Sequence, residues 1–282
     1  MTRQKHREGY RDERGAEPGK EWNEKRKSRR RRKRRKARIR FLASMLGTLL
    51  GAILLVLVAY TALNLFCGFG KVNTQKLREQ GYPESLIALV ERNPETKDFV
   101  LDYPKYKGLE EIDISKEVTK GEIPHFLQWD ERWGYETYGS DFLAVTGCGP
   151  TCLSMVTCGL TGDTQWNPYE VAKMAEDNGY YVDGSGSSWD LMSSGAEKLG
   201  LTVSSVIFDA EHIRATLESG QPIICVMGPG DFTDAGHFLV LTGVDKNGDI
   251  ILQDPNSVER TKQHWDVQKL MNQMKNLWSY RV

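Results

Sequence analysis

Hydrophobic and polar positions divide the chain of 282 residues into four stretches. Met1 to Arg40 has almost no apolar residues. Phe41 to Gly70 runs for 30 residues without a charge. Lys71 to Gly121 mixes short apolar runs with charges and prolines, and from Glu122 onward apolar and polar positions alternate in the way of a folded domain. The uncharged run makes a helix about 45 Å long, enough to cross a hydrocarbon layer about 30 Å thick. The predicted spanning helix is Phe41–Phe66. Phe66 is not the small residue a lipoprotein signal needs before Cys67, and the stretch is too long for a cleaved signal, so it reads as a retained anchor.

The third stretch predicts a helix from Pro83 to Val90, stopped by Asn93-Pro94-Glu95, which opens another short helix toward Tyr103. Pro104, Lys105, Lys107 and Gly108 read as linker. Residues 67–121 are thus expected to form a helical stalk, with the compact domain at 122–282. A second uncharged run, Phe142 to Gly162, predicts a helix buried on most faces. Helices follow at Tyr169–Asn178 and Trp189–Leu199. The character then changes to strands at Leu201–Phe208, Pro222–Met227, Phe238–Val244 and Asp249–Asp254. A helix capped by Asp209 is interposed, and Asn247-Gly248 marks a hairpin. Asp266–Lys275 reads as a last helix and Leu277–Val282 as a last strand. Helices first and mostly antiparallel strands afterwards is the order of an α+β fold.

Charge sharpens the first boundary. Overall net charge is zero, but residues 1–40 hold 19 basic and 6 acidic residues, a net of +13, and the remainder carries −13. Such a tail is expected to be disordered. Its run Arg29–Lys36 could bind nucleic acid, but its place directly before an apolar helix gives it a plainer role. It sets an N-terminus-in topology and meets anionic lipid headgroups, with no nucleic-acid partner. The domain after the helix is then expected outside the membrane, on a bacterial cell surface.

Five cysteines, Cys67, Cys148, Cys152, Cys158 and Cys225, form neither an even disulfide framework nor a metal-binding pair spacing. No disulfide, metal or cofactor is expected. Cys148 stands apart, in Thr146-Gly147-Cys148-Gly149-Pro150-Thr151. Glycines let the chain bend on both sides, Pro150 suits a first helical turn, and a thiol at a helix N-terminus is biased toward thiolate. The lone-cysteine alternative is core filling. His237 begins a predicted strand and Asp254 ends its hairpin partner, so both lie at the open end of that hairpin. A simple turn at Asn247-Gly248 would set Asp254 opposite Leu241. A wider turn or a bulge is needed to seat it beside His237, and Asn256 competes for that place.

The order Cys148, His237, Asp254, with the cysteine on a helix and the others on a strand hairpin, resembles papain-like cysteine peptidases. More closely it resembles family 39 of the cysteine peptidases, the group related to bacteriocin-leader-processing enzymes. The matching residues are Gln128-Trp129-Asp130 with Arg132-Trp133-Gly134, Gly147 to Thr151, Gly184 to Trp189, Gly228 to Phe238, Gly243-Val244-Asp245 and Asp254 to Ser257. They span Glu122–Val282. The resemblance implies a papain-like domain with a helical half, carrying the nucleophile helix, packed on an antiparallel sheet. It implies Cys148 as nucleophile, His237 as base and then acid, and Asp254 as the residue orienting the imidazole. Family members carry a Gln six residues before the nucleophile as an oxyanion donor. Here that position holds Phe142, and Gln128 is the candidate for the role.

The expectation is a membrane-anchored extracellular cysteine peptidase acting on peptide or protein substrates through an acyl-enzyme. A cell-wall peptide amidase or transpeptidase of the same fold, and a non-catalytic surface protein that binds peptides, are the alternatives.

Overall fold

The computed structural model describes residues 18–68 and 72–282. The chain divides into two compact units at the Gly70–Lys71 junction. Among the described residues, the first is a single helix, α1 (Pro18–Gly68). Its segment Arg26–Val58 is long and apolar enough to cross a membrane. From Phe41 to Val58 the large apolar side chains stand exposed, Leu55 at 72%. The tail differs from expectation: residues 18–40 are helical, and what was expected of residues 1–17 lies outside the described residues. Arg and Lys are good helix formers, and the apolar helix that follows supplies the nucleus onto which the basic run propagates.

The second unit begins fifty residues earlier than the expected domain start. Helices α2 (Thr74–Glu79), α3 (Glu84–Arg92) and α4 (Lys97–Asp102), with a 3₁₀ turn at Pro94–Thr96, do not form a free stalk or linker. They belong to the same compact unit as the rest of the chain to Val282. The reason lies in α3. Leu86, Ile87, Leu89 and Val90 make one apolar face, and that face must be covered. It joins Leu77, Phe99 and Val100 in a core shared with Tyr135 and Ala144 of the following region. Phe99 stacks on Tyr135 with ring centroids 4.2 Å apart, and the Tyr135 hydroxyl donates to the Phe99 carbonyl at 2.6 Å.

A small hairpin, β1 (Thr137–Tyr138) and β2 (Asp141–Phe142), leads through α5 (Leu143–Thr146) into α6 (Cys148–Thr161). Helix α6 is buried from Gly149 to Gly159, as its uncharged sequence predicts. Gly162, at φ 78°, closes it in the left-handed region. Then come α7 (Pro168–Asp177), the hairpin β3 (Tyr181–Val182) and β4 (Gly186–Ser187), a 3₁₀ turn over Trp189–Met192 and α8 (Ser194–Lys198).

The remaining strands build one antiparallel sheet, in the order β5-β10-β6-β7-β8-β9. Its members are β5 (Thr202–Ser205), β6 (Ile223–Met227), β7 (His237–Val244), β8 (Ile250–Gln253), β9 (His264–Trp265) and β10 (Met274–Arg281). Alternation along β6 and β7 sorts the two faces. Ile224, Val226, Phe238 and Val240 join the core of α6 and α7. Ile223, Cys225, Met227, Leu239 and Leu241 join a second core with α9 (Ala210–Glu218) and α11 (Val267–Met271). The expected strand 201–208 is shorter, and the last helix gives way at Met274 to a strand that starts earlier than expected. A short helix, α10 (Val258–Thr261), and β9 fill the stretch after Asp254, where the sequence reading placed no element. The architecture is α+β, with the helix carrying Cys148 packed on an antiparallel sheet.

Candidate active site

Cys148 is the first residue of α6, where backbone N–H groups have no partner within the helix. Cys148 as a residue is half-buried, whereas Cys152, Cys158 and Cys225 are buried. Gly149 is required by proximity: a Cβ there would meet the Ser187 hydroxyl oxygen at 2.5 Å. Ser187 is fixed by a 2.8 Å hydrogen bond with the Tyr138 hydroxyl. The loop through Ser187 thus closes against the first turn of α6, which admits no side chain beside the cysteine.

His237 opens β7 and is 6% exposed. Its Nε2 lies 2.8 Å from Asp254 Oδ1. Cys148 lines the same cavity as this imidazole and is electrostatically coupled to it, and with Nε2 turned to Asp254 the nitrogen left for sulfur is Nδ1. The hairpin reaches this geometry by both devices the sequence left open. The turn is wide, with Asp249 O accepting from Asp245 N at 2.8 Å. The register then slips between Leu241 and Gly243, so that Val240 faces Gln253. Together these move Asp254 two positions along β7, past Leu241 and toward His237.

Asp254 is fully buried. Oδ1 also accepts from the backbone N–H of Asn256 at 2.8 Å, and Oδ2 accepts from Arg260 Nε at 2.5 Å. Asn256, the competitor for the imidazole, is turned away: its side-chain oxygen accepts from Asn93 Nδ2 at 3.0 Å. Sequence reasoning missed Arg260. The signal was Ser257, three residues before it. Ser257 Oγ accepts from Arg260 N at 3.0 Å and caps α10, and that helical turn swings Arg260 back onto Asp254. His125 was missed as well; its Nε2 lies 2.7 Å from the Asp254 carbonyl oxygen.

Gln128 lines the same cavity as Cys148 and His237. Its Nε2 donates to the Ala144 carbonyl at 2.7 Å, and its Oε1 is buried without a partner. Phe142, in the place of the family's Gln, packs edge-on against Tyr103 of the upstream helical region at 5.6 Å. Trp133 is core, fully buried, and Trp129 donates to the Asn256 carbonyl at 3.3 Å.

Electrostatics follow this packing. Burial pushes the Cys148 thiol up, but hydrogen bonding and charge from His237, with N–H groups of Phe238 and Gly149, outweigh it and hold the thiol below its ordinary value. Burial lowers His237, yet the Asp254 carboxylate and the neighbouring sulfur raise it to about 10. Burial raises Asp254, and His237 and Arg260 pull it below the usual carboxylate range. Burial drives Cys152 far up and Cys158 to about 12. The groups therefore favour a thiolate beside an imidazolium. Among the described residues no group of three or more His, Cys, Asp or Glu side chains is arranged to hold a metal ion.

The cavity holds about 320 Å³. One wall is the loop 230–236, tied down where Gln273 accepts from Asp231 N at 2.7 Å. The floor is Cys148, His237 and Gln128, and Leu89, Arg92 and Arg260 also line it.

No curated protein matches the chain. Among solved structures, the peptidase domain of Streptococcus ComA, a bi-functional ABC transporter involved in a quorum-sensing pathway, is 22% identical. That match covers 48% of this chain and 89% of the other, with a TM-score of 0.36. A C39-like peptidase structure from Bacillus anthracis is 18% identical over 58% of this chain and 97% of its own, with a TM-score of 0.34. The sequence model of the Peptidase_C39 like family matches residues 120–282, which hold Cys148, His237, Asp254 and Gln128, and the chain belongs to that family.

Proposed function

We propose that this protein is a cysteine peptidase, held to a membrane by α1, that hydrolyses peptide bonds at Cys148. The observation that carries the reading is the placement of Cys148, at the start of α6, in one cavity with His237, whose Nε2 lies 2.8 Å from buried Asp254. The thiolate attacks the substrate carbonyl carbon and the C=O π pair moves to oxygen. The Cys148 backbone N–H donates to that oxyanion. One Gln128 N–H is held by Ala144 O, and the other is the second donor. Collapse of the intermediate breaks the C–N bond, and the imidazolium gives its proton to the departing amine. Water then attacks the thioester, His237 takes its proton, and thiolate leaves. Asp254 keeps Nε2 as the donor side of the ring throughout, so Nδ1 is always the nitrogen facing sulfur.

Membrane attachment rests on the apolar part of α1, and orientation on the basic residues before it. The domain after α1 then lies outside the cell, and the basic run faces the anionic inner leaflet. The test of chemistry is turnover of a mixed peptide library and of cell-wall peptides by the full chain in detergent, beside its Cys148→Ala variant. Turnover by both, or by neither, rejects the reading. Protease added to intact cells should remove an epitope after Val282 and spare one before Met1; the opposite pattern rejects the orientation.

A further inference from the structure

The segment that precedes the family-matched region makes its contacts at a particular place. Asn93 Nδ2 donates to the Asn256 side-chain oxygen at 3.0 Å and also to the Asn256 carbonyl. Glu95 accepts from Ser257 Oγ, from Val258 N at 2.8 Å and from Glu259 N at 3.2 Å. These are the orphan N–H groups at the start of α10, and a carboxylate there also meets the positive end of the helix. Helix α10 has barely more than one turn. It carries Arg260, whose Nε holds Asp254 Oδ2, and the loop before it carries Asp254 itself. Ser257, the cap of α10, is therefore held from outside the family domain. The docking surface includes Phe142, which stands where the family's Gln does and packs on Tyr103.

We infer that Glu95 is a positioning residue for the proposed catalytic site. Through α10 and Arg260 it fixes the Asp254 carboxylate against His237. The inference rests on the peptidase reading but reaches outside the matched residues 120–282. A four-residue helix is too short to hold its own geometry in water. Without Glu95 the turn loosens, Arg260 swings, and Asp254 loses the contact that keeps it ionised and aimed.

The test needs no substrate. In the full chain, the iodoacetamide rate at Cys148 reports the thiolate, whose imidazole neighbour His237 is backed by Asp254, while Arg92, Asp231, Asp234 and Arg260 line the cavity. Glu95→Ala should slow alkylation at pH 6 by about tenfold and move its pH midpoint upward. Glu95→Gln, which still accepts hydrogen bonds, should do so less. Glu84→Gln, which breaks an exposed ion pair between α3 and Arg78 of α2, should change the rate less than twofold. Arg260→Ala combined with Glu95→Ala should be no worse than Arg260→Ala alone. An unchanged midpoint in a folded Glu95→Ala or Glu95→Gln chain, whatever its melting temperature, overturns the positioning role. A wild-type Cys148 no faster than Cys225 overturns the peptidase reading and this inference with it.

A separate observation concerns the substrate. Arg92 closes α3 and lines the cavity beside Leu89. Its Nε bonds the Ala88 carbonyl of its own helix at 3.2 Å, and among the described residues no carboxylate pairs with it. Arg260 is neutralised by Asp254, and Asp231 by Lys269. Arg92 is thus an unpaired cation on the wall formed by the upstream segment, in a cavity whose other unpaired charge is Asp234. We propose that it receives a peptide carboxylate. Matched peptides with Glu or Gln at each position, and with free or amidated C-termini, should be compared for binding to the full chain carrying Cys148→Ala. One carboxylate-bearing set should bind at least about tenfold more tightly. The preference should vanish with Arg92→Ala and reverse with Arg92→Glu. No preference, one that survives Arg92→Ala, or no binding of any peptide overturns the subsite. The side-chain and terminal arms show which carboxylate is read.

Discussion

The first turn of α6 and its interior are one helix with two chemistries. Cys148 and Cys152 are one turn apart on one face. The first sits where N–H groups are unpaired, next to an imidazole, and is held below its ordinary value. The second is enclosed by apolar atoms, and burial, the nearby sulfur and Asp254 all push it far up. Residue type and helix propensity are the same at both. The difference is a neighbour brought in by β7 and a helix end that leaves donors free. A cysteine is reactive because of what faces it, and Cys152, Cys158 and Cys225 are buried and pushed up, with no imidazole to offset the burial.

The comparison breaks most sharply in turnover. Cys148→Ala should lower peptide hydrolysis by about 10⁴-fold or more, measured on any substrate the library yields. Cys152→Ala, in contrast, should keep turnover near that of the unaltered chain while lowering the melting temperature through a buried vacancy. Comparable losses from both would erase the distinction.

Alkylation reads the same contrast without substrate. At pH 6 a thiol of ordinary pKa is only about one part in 300 ionised. Iodoacetamide should therefore label Cys148 first, with Cys152, Cys158 and Cys225 slow. His237→Ala should remove most of that lead, a loss on the order of 10²-fold. Equal labelling of Cys148 and Cys225, unchanged by His237→Ala, would mean that no ion pair forms.

Gln128→Ala sharpens the role of the first turn. If its amide shares the oxyanion with the Cys148 N–H, turnover should fall by roughly 10²-fold with the fold intact. A change under about threefold would make Gln128 a packing residue held by Ala144. Asp254→Ala should cost less than Cys148→Ala but well over tenfold in turnover. Asn256→Ala should cost only a few-fold, since its amide faces Asn93. The reverse ranking would give the imidazole to Asn256.

The smallest effect is on stability, and its sign follows from the shifts. His237 is raised to about 10 in the fold. Its contribution is complete below its unfolded value, near pH 6.5, and declines as pH rises toward 10. Asp254 is lowered, so its contribution is present above about pH 4 and fades as pH falls through its folded value. The unaltered chain should lose more melting temperature between pH 7 and pH 10 than His237→Ala does. Equal losses would show that the imidazole gains nothing from its partners.

Local interactions wrote much of this molecule into its sequence. Apolar periodicity and the absence of charge marked α1 and α6, glycines and Pro150 marked the bend at Cys148, and Asn247-Gly248 marked the hairpin that brings His237 and Asp254 to one end. Each depends on residues within a few positions of one another, which is the range over which propensity and period act. The tertiary structure decided what depends on distant partners. The slip between Leu241 and Gly243 brought the end of β8 toward His237, because a register change moves every later side chain along its partner strand, and distant partners then chose Asp254 over Asn256: Arg260 holds Asp254, and Asn93 holds the Asn256 side chain. Arg260 reached Asp254 only because Ser257 and Glu95 stabilise a helical turn too short to predict from its own sequence. And residues 67–121 read as a stalk because their prolines and charges look like linker. The apolar face of α3 found its cover in Tyr135 and Ala144, some fifty residues away, and burial there outweighs any local preference.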